Sequence, residues 1–378
     1  MSEATQAPRR WKPPWGLIGM LPLILAAELT VARHEPKLFD DPLILSWRLG
    51  ADSSVREAKQ AKILCMGDSL VHLGVLPRLL QSRVGKSAYN LASPGSPASA
   101  SYFLLRKALE AGARPEALVV DFHSNVLSKP PRTTLHFWPE LLSFRETLEL
   151  GWHARDPRLF LATTLAIALP SVRRRNGLRE GLLASLRDEP PPSRELMAAN
   201  RRNALINLGA SPHAKRTPNT DDITRSEPNK GWQPHGVNVL YVRKFLELAS
   251  SRKIPVYWLL PPLSPACQGR LERRGVDERL MQFVLSIQRK YDNVVVVDGR
   301  HAGYPTDVFV DANHLDKQGA AELTTTLASI MDRGLVPSGA GRGVVPLPPF
   351  RALTSDLPLE DLEESKAIVR KTDDRLGR

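Results

Sequence analysis

One serine and one aspartate–histidine pair occupy positions in this chain where they could act as a nucleophile and its base. The apolar run 62–66 leads directly into Gly67-Asp68-Ser69-Leu70, which predicts a serine at the carboxyl end of a strand and at the start of a helix. Asp311-Ala-Asn-His314 stands near the end of the last predicted strand–helix unit. Acyl transfer by serine needs a base and a group that orients this base. We therefore expect His314 to take the Ser69 proton and Asp311 to orient His314.

Two further residues stand where donors to a developing oxyanion are needed. Gly95 follows the second predicted strand and Asn125 follows the third. Because the carboxyl ends of parallel strands meet at one edge of a sheet, we expect both near Ser69. The predicted oxyanion donors are the N–H groups of Ser69 and Gly95 and the side-chain amide of Asn125. Glycine, asparagine and serine are also common in turns and helix caps, and Asp68 is expected to cap its turn.

Five other side chains allow two interpretations each. His72 either faces the site or lies partly exposed on a helix, and His123 either contacts substrate or supports its loop. Aromatic side chains in and beside the middle of the chain could stack on a sugar or pack in a small core. These are Trp138, Trp152 and Trp232.

Strand and helix signals alternate in two separated blocks, 36–128 and 234–334. The predicted strands cover 62–66, 88–91, 117–122, 255–260 and 294–297. The predicted helices cover 71–83, 101–110, 237–250, 277–291 and 317–331. Nearly continuous apolar strands that alternate with amphipathic helices indicate an α/β domain whose parallel sheet is covered on both faces.

The remaining segments predict additions to this domain. Residues 129–233 are expected to form a helical insertion, with helices over 141–150, 159–169 and 178–186 and a mobile, basic connection over 210–229. Residues 335–378 are Gly/Pro-rich and then charged, which predicts a flexible tail without a core of its own, apart from a short helix over 359–370.

The amino terminus predicts a location. Arg9, Arg10 and Lys12 precede the apolar run 15–32. Positive charge before an apolar run is typical of a segment whose start stays in the cytoplasm while the rest of the chain is exported. We expect residues 1–35 to be an uncleaved signal anchor that holds the catalytic domain outside the cytoplasm. A cleaved signal peptide and a buried helix stay open as alternatives.

Composition excludes some classes of protein. The chain is 42% apolar and 24% charged, which indicates a globular protein rather than a disordered one. Its net charge of +12 fits an ordinary basic surface or an attraction to anionic lipid or polymer. A nucleic-acid partner is not expected, because no recognition motif and no basic run interleaved with aromatic residues occurs. No metal-ligand spacing occurs either, and a disulfide between Cys65 and Cys267 stays open.

The order and spacing of the motifs resemble those of the GDSL-type SGNH hydrolases, a family named for its Ser, Gly, Asn and His. Ser69 matches the nucleophile, Gly95 the second block and Asn125 the third, and Asp311 and His314 match the terminal Asp-x-x-His pair. The resemblance covers about 61–125 and 241–331. It departs from the family in the third block, Gly-x-Asn-Asp, where this chain has His123 and Val126.

The resemblance implies a three-layer α/β/α flavodoxin-like sandwich with a five-stranded parallel sheet and no cofactor. It also implies a serine-dependent ester hydrolase or O-acyltransferase that works through an acyl-serine intermediate. Anchored, exported members with insertions resemble envelope O-acetyltransferases and esterases that act on polysaccharide or peptidoglycan. Two alternatives stay open: an acyltransferase that works only beside a membrane acyl donor protein, and a catalytically silent binding domain of the same fold.

Overall fold

Six short parallel strands form a sheet at the centre of the computed structural model, which describes residues 15–34, 41–187, 194–216, 231–334, 343–352 and 359–375. The strands are β1 (Ile63–Met66), β2 (Ala88–Asn90), β3 (Ala117–Val120), β4 (Val256–Leu260), β5 (Val294–Asp298) and β6 (Val344–Pro346). Their order across the sheet is β2-β1-β3-β4-β5-β6, and every neighbouring pair is parallel. The prediction of an α/β fold with a parallel sheet is therefore confirmed.

Helices connect the strands and extend the domain. In chain order they are α1 (Trp15–His34), α2 (Pro42–Arg56), α3 (Ser69–Gly74), α4 (Pro77–Val84), α5 (Ala98–Glu110), α6 (Ser124–Leu127), α7 (Trp138–Leu141), α8 (Phe144–Ala154), α9 (Pro157–Ala168), α10 (Pro170–Arg173), α11 (Arg175–Leu186), α12 (Arg194–Ile206), α13 (Gly236–Ser251), α14 (Pro265–Arg273), α15 (Val276–Gln288), α16 (Lys317–Asp332) and α17 (Leu362–Arg375). Two 3₁₀ turns cover Pro131–Thr134 and Thr306–Val308.

Alternate residues of each strand enter two different cores. In β1, Leu64 and Met66 pack into the core that contains α5 and α13, whereas Ile63 and Cys65 pack into the core that contains α4 and α16. All four side chains are buried. Burial on both faces explains why the strand reads as a continuous apolar run.

The sheet has six strands, so the prediction of five is wrong. The sixth, β6, pairs with β5 and belongs to the segment predicted as a flexible tail. A three-residue strand gives almost no periodic signal, and Pro346 is tolerated because an edge strand needs hydrogen bonds on one side only. The same segment supplies α17, which packs on α12, and there Glu360 accepts hydrogen bonds from Arg202 at 2.7 and 2.9 Å. For 343–352 the predicted flexible tail is therefore corrected to packed structure, whereas the short helix predicted over 359–370 is observed as α17.

The segment between the two blocks contains the helices α7 to α12. Its tryptophans differ, because Trp138 is fully buried and Trp232 is 4% exposed, whereas Trp152 is 80% exposed. The three rings therefore do not form one sugar-stacking surface. Within the predicted connection 210–229, residues 217–229 lie outside the described residues.

The amino-terminal segment forms α1, which contacts α10. The carboxylate of Glu28 accepts hydrogen bonds from the N–H of Ser171, at 2.9 Å, and from its hydroxyl. Within the described ranges, no helix combines the length and the apolar character needed to cross a membrane. The predicted membrane helix is therefore not found, and residues 1–14 and 35 of the predicted anchor lie outside the described residues.

Both cysteines are free thiols, so no disulfide joins them. Cys65 is fully buried in β1, and this burial raises the pKa of its thiol to about 12. Its role is that of a small apolar core residue. Cys267 lies in the first turn of α14 and donates a hydrogen bond through Sγ to the side chain of Asn313, at 3.3 Å.

Candidate active site

Ser69 is the first residue of α3 and stands directly after β1. Asp68 caps this helix, and its side chain accepts a hydrogen bond from the Leu70 N–H at 2.8 Å. Gly67 has φ +129°, and a Cβ at this position would lie 1.7 Å from Oδ1 of Asp121. Only glycine fits there, because both the backbone conformation and the space exclude a side chain. The local geometry therefore presents Ser69 at the carboxyl edge of the sheet.

Ser69, His314 and Asp311 form a continuous chain of hydrogen bonds. The Ser69 Oγ and the His314 Nε2 are 2.8 Å apart, and the His314 Nδ1 and the Asp311 Oδ2 are 2.7 Å apart. An ionised carboxylate can only accept a hydrogen bond, so Nδ1 carries the imidazole proton. Nε2 is then left to accept the proton of the Ser69 hydroxyl. The three residues are aligned as nucleophile, base and orienting acid.

The loop that carries Asp311 and His314 is closed on itself. Oδ1 of Asp311 accepts hydrogen bonds from the N–H groups of Asn313 and His314, both at 2.9 Å. Partial burial alone would raise the pKa of the Asp311 carboxyl, but the hydrogen bond and charge of His314 and these two N–H donors lower it to about 2. Asp311 is therefore ionised at any pH at which the protein would work.

Gly95 and Asn125 lie in the same cleft as Ser69 and His314. This cleft has a volume of about 320 Å³. Its lining residues are Asp68, Ser69, Leu70, Gly95, Pro97, His123, Asn125, Val126, Lys129, Thr133, Thr134, Asn313 and His314. The structure thus brings together all five residues that the sequence analysis selected, with Asp311 behind the ring of His314.

The loop around Gly95 is tied to the serine loop. Gly95 has φ +68°, a left-handed conformation that glycine adopts readily. The Ser96 hydroxyl donates to the Gly67 carbonyl at 2.6 Å, and the Trp47 ring N–H donates to the Pro94 carbonyl at 3.0 Å. These bonds hold the Gly95 backbone at a constant position relative to Ser69. Trp47 belongs to α2, a helix for which the sequence analysis made no prediction.

The loop around Asn125 is held by a buried amide. Asn238 on α13 is fully buried, and its Nδ2 donates to the carbonyls of Val126, Leu127 and Lys129 at 2.8 to 3.1 Å. These bonds fix the backbone of residues 126–129 beside the cleft. Asn125 lines the cleft together with His123 and Val126.

A buried acid below the serine loop is a residue that sequence reasoning missed. Asp121 ends the run after β3 and is 1% exposed, and its Oδ1 accepts the Asp68 N–H at 2.9 Å. Burial and the neighbouring Asp68 carboxylate raise the pKa of Asp121 well above its ordinary value. Only its place after a strand pointed to the site, since contact with the serine loop requires β1 and β3 to be neighbours.

Two substitutions of Asp121 test whether its hydrogen bond positions the serine loop or whether its side chain only fills space. An asparagine has nearly the same shape as Asp121 and keeps an acceptor for the Asp68 N–H. We expect Asp121→Asn to keep turnover within about tenfold. Asp121→Leu leaves that N–H unpaired and shifts the serine loop, which should lower turnover at least about 10²-fold and stability by about 1–3 kcal/mol. Ester turnover and urea unfolding measure the two effects, and equal losses in both variants would contradict this role.

Three further histidines near the site have uncharged rings. Burial, more than any other cause, lowers the pKa of His72 and that of His213 to about 4, and it also lowers the pKa of His123. All three rings are neutral at pH 7 and do not oppose a positive charge on His314. His72 is 5% exposed, so it is not the partly exposed helix histidine that one interpretation expected. His123 lines the cleft.

One group of side chains has metal-ligand spacing within the described ranges. The ligand atoms of Glu272, Asp277 and His301 lie within 4.8 Å of one another, away from the cleft residues. Asp277 already accepts hydrogen bonds from Arg300 at 2.8 Å and Gln268 at 2.9 Å. This group therefore contributes nothing to the chemistry of the cleft.

No family model matches the chain, and no curated protein matches it. What the cleft can do is therefore inferred from its own geometry and chemistry. A serine hydroxyl in contact with an oriented imidazole, beside donors for an oxyanion, can transfer an acyl group.

Proposed function

We propose that this protein is a serine-dependent ester hydrolase or O-acyltransferase of the SGNH type. The observation that carries the proposal is the hydrogen-bond chain of 2.8 Å from Ser69 to His314 and 2.7 Å from His314 to Asp311. It holds nucleophile, base and orienting carboxylate in register before any substrate binds. A catalytically silent binding domain has no need of this alignment, so the distances favour an enzyme.

In the first half of the reaction, the Ser69 Oγ attacks the carbonyl carbon of an ester while its proton passes to the His314 Nε2. The carbonyl oxygen becomes an oxyanion beside the N–H groups of Ser69 and Gly95 and the amide of Asn125. Each such donor contributes about 10²- to 10³-fold to the rate. The ester C–O bond then breaks, the leaving alcohol takes the proton from His314, and the acyl group stays on Ser69.

In the second half, water or an acceptor hydroxyl gives its proton to His314 and attacks the acyl-serine. The bond between the acyl carbon and Oγ breaks, and Ser69 recovers its proton from His314. Attack by water makes the protein a hydrolase, whereas attack by a hydroxyl makes it a transferase. The cleft, at about 320 Å³, has room for a short acyl group with part of an alcohol.

The strand order supports the finer fold assignment. The first five strands follow the order β2-β1-β3-β4-β5, which is the flavodoxin-like arrangement. In that arrangement ligands bind outside the carboxyl ends of β1 and β3. Ser69 follows β1 and Asn125 follows β3, and their position at this crevice supports the proposed chemistry. We therefore interpret the domain as a flavodoxin-like sandwich with β6 added at its edge.

Three parts of the proposal come from the sequence and stay predictions. They are the export of the domain, an envelope glycan as the acyl acceptor or substrate, and a membrane protein as an acyl donor. The chemistry at Ser69 does not depend on any of them.

Labelling with a serine-directed aryl phosphonate tests the proposal. We expect the folded chain to take up one phosphonate on Ser69, located by mass spectrometry of peptides, whereas the heat-unfolded chain and Ser69→Ala stay unlabelled. A folded chain that is not labelled, or is labelled at another serine only, would overturn the proposal. Labelling without hydrolysis of simple esters would favour the transferase over the hydrolase.

A further inference from the structure

Large apolar side chains that stay exposed are concentrated in one part of the molecule. Among the described residues, 19 large apolar side chains are exposed, and 18 of them lie on α1, α2 and the helices α8 to α12. The other is Ile368 on α17. A concentration of this kind indicates a contact surface rather than the scattered apolar residues of an ordinary protein exterior.

Helix α8 carries the clearest part of this surface. Phe144, Leu148 and Trp152 are spaced four residues apart and are 54%, 50% and 80% exposed. Residues at this spacing lie on one face of a helix. Thr147 and Leu150 of the same helix are buried, so packing on the other side holds the apolar stripe outward.

The stripe continues onto the next helices. The rings of Phe144 and Phe160 are 5.8 Å apart, which joins α8 to α9. Leu161 and Leu165 of α9 are also exposed, at 57% and 53%, and Leu165 lines a groove of about 760 Å³ between α2, α9, α10 and α11. We call the following exposed residues the insertion surface: Phe144, Leu148, Trp152, Leu161, Leu165, Leu182 and Leu186.

Positive charge accompanies these apolar side chains. Residues 156–189 contain six arginines and four acidic residues, which are Asp156, Glu180, Asp188 and Glu189. Arg174 is buried in an ion pair with Glu140 at 2.7 Å and has a structural role. Four others point outward from α9 to α11 and the residue that follows α11, where they are exposed. These are Arg158, Arg175, Arg179 and Arg187.

We infer that the insertion surface docks on an anionic lipid bilayer. Leucine and aromatic side chains beside an excess of arginine match the two layers of a membrane surface, which are apolar chains below anionic headgroups. A tryptophan that is exposed in water is favoured at this interface, because its ring is apolar and its N–H is polar. The exposed arginines are complementary in charge to the anionic headgroups of such a bilayer. The inference does not depend on catalysis.

The groove that contains Leu165 adjoins the active-site cleft. Thr134 lines the active-site cleft, and Leu135, the next residue, lines the groove between α2 and α11. A bilayer that covered this groove would lie next to the loop that carries Thr134. This arrangement would suit an ester or acyl acceptor that is itself held at a membrane.

Quenching of Trp152 tests the docking. The full chain is mixed with vesicles of phosphatidylcholine containing 30% phosphatidylglycerol, with and without brominated acyl chains, and with vesicles of phosphatidylcholine alone. The signal of Trp152 is the difference between the wild type and Trp152→Phe, which removes the contribution of the other tryptophans, including those near α1. We expect quenching of Trp152 by brominated chains in the anionic vesicles.

A charge variant with a matched control completes the test. Arg175→Gln, Arg179→Gln and Arg187→Gln together should raise the lipid concentration needed for half-maximal quenching by about fivefold per removed charge at low salt. The control replaces three exposed arginines elsewhere, one on α13, one just after α13 and one just after α15. Arg243→Gln, Arg252→Gln and Arg289→Gln together should leave this lipid concentration unchanged. Absence of Trp152 quenching, including a case in which a second copy covers this surface, would overturn the inference. So would quenching that the insertion arginines do not affect.

Discussion

Ser69→Ala should abolish ester turnover, with a fall in kcat of about 10⁴- to 10⁶-fold. The Ser69 Oγ stands 2.8 Å from the His314 Nε2, and within the part of the chain that the structure describes no other hydroxyl forms a hydrogen bond to this ring. Removal of the nucleophile therefore leaves only the weak assistance that the oxyanion donors give to direct attack by water. Hydrolysis of a short-chain aryl acetate by the full chain measures the effect.

The control for this variant is Ser82→Ala. Ser82 is an exposed serine on the neighbouring α4, where its hydroxyl donates only to the Leu79 carbonyl at 2.8 Å. Its loss should leave turnover unchanged. Because Ser69 and His314 act as one unit, the double variant Ser69→Ala/His314→Ala should be no slower than Ser69→Ala alone. A Ser69→Ala protein that keeps more than about a hundredth of the wild-type rate would contradict an acyl-serine route.

Asp311→Asn should have the second largest effect, a fall in kcat of about 10³- to 10⁴-fold. The asparagine Oδ1 can still accept the N–H groups of Asn313 and His314, so the loop should keep its shape. Its Nδ2, however, would donate to the Nδ1 of His314 and hold the ring in the tautomer that has its proton on Nε2. That tautomer cannot accept the Ser69 proton. Turnover of the same aryl acetate measures the loss, and Asp307→Asn, at an exposed carboxylate in the preceding turn, is the matched control.

The pH dependence of this variant follows from the lowered pKa of Asp311. A carboxyl group whose pKa is about 2 when folded, and about 4 when unfolded, stabilises the folded state above pH 4. This stabilisation is lost as the pH falls through about 2. The difference in free energy of unfolding between the wild type and Asp311→Asn should therefore shrink between pH 4 and pH 2. A difference that stays constant over this range, or a kcat within tenfold of the wild type, would show that Asp311 does not hold His314 as an ionised partner.

Both predictions concern residues that local patterns already indicated. Ser69 follows an apolar run and begins a helix, and Asp311 and His314 lie three residues apart in one tight loop. The loop closes through bonds between its own residues, such as the Val310 N–H to the His314 carbonyl at 2.8 Å. Contacts between residues that are close in the chain can be predicted from the sequence, because the short chain segment between them limits how far apart they can lie.

The residues that support the site were harder to predict. Asp121 holds the serine loop only because β1 and β3 are neighbouring strands. Trp47 of α2 lies in the core that contains α5 and α13, and from there its ring N–H contacts the Gly95 loop. Asn238 supports the Asn125 loop from α13, at a distance of more than a hundred residues in the chain. None of these contacts has a periodic or compositional signal, because each depends on which elements become neighbours.

The sequence alone was enough to predict the alternation of apolar strands and helices, the parallel sheet, and the grouping of Ser69, His314 and Asp311. These follow from hydrophobic periodicity and turn chemistry, which act over a few residues. Three features could not be predicted without the fold: β6 completes the sheet, Trp138 and Trp232 are buried while Trp152 is exposed, and Asp121 is enclosed beside Asp68. Strand pairing and burial depend on contacts between distant segments, and the free energy of such contacts belongs to the assembled fold rather than to any one segment.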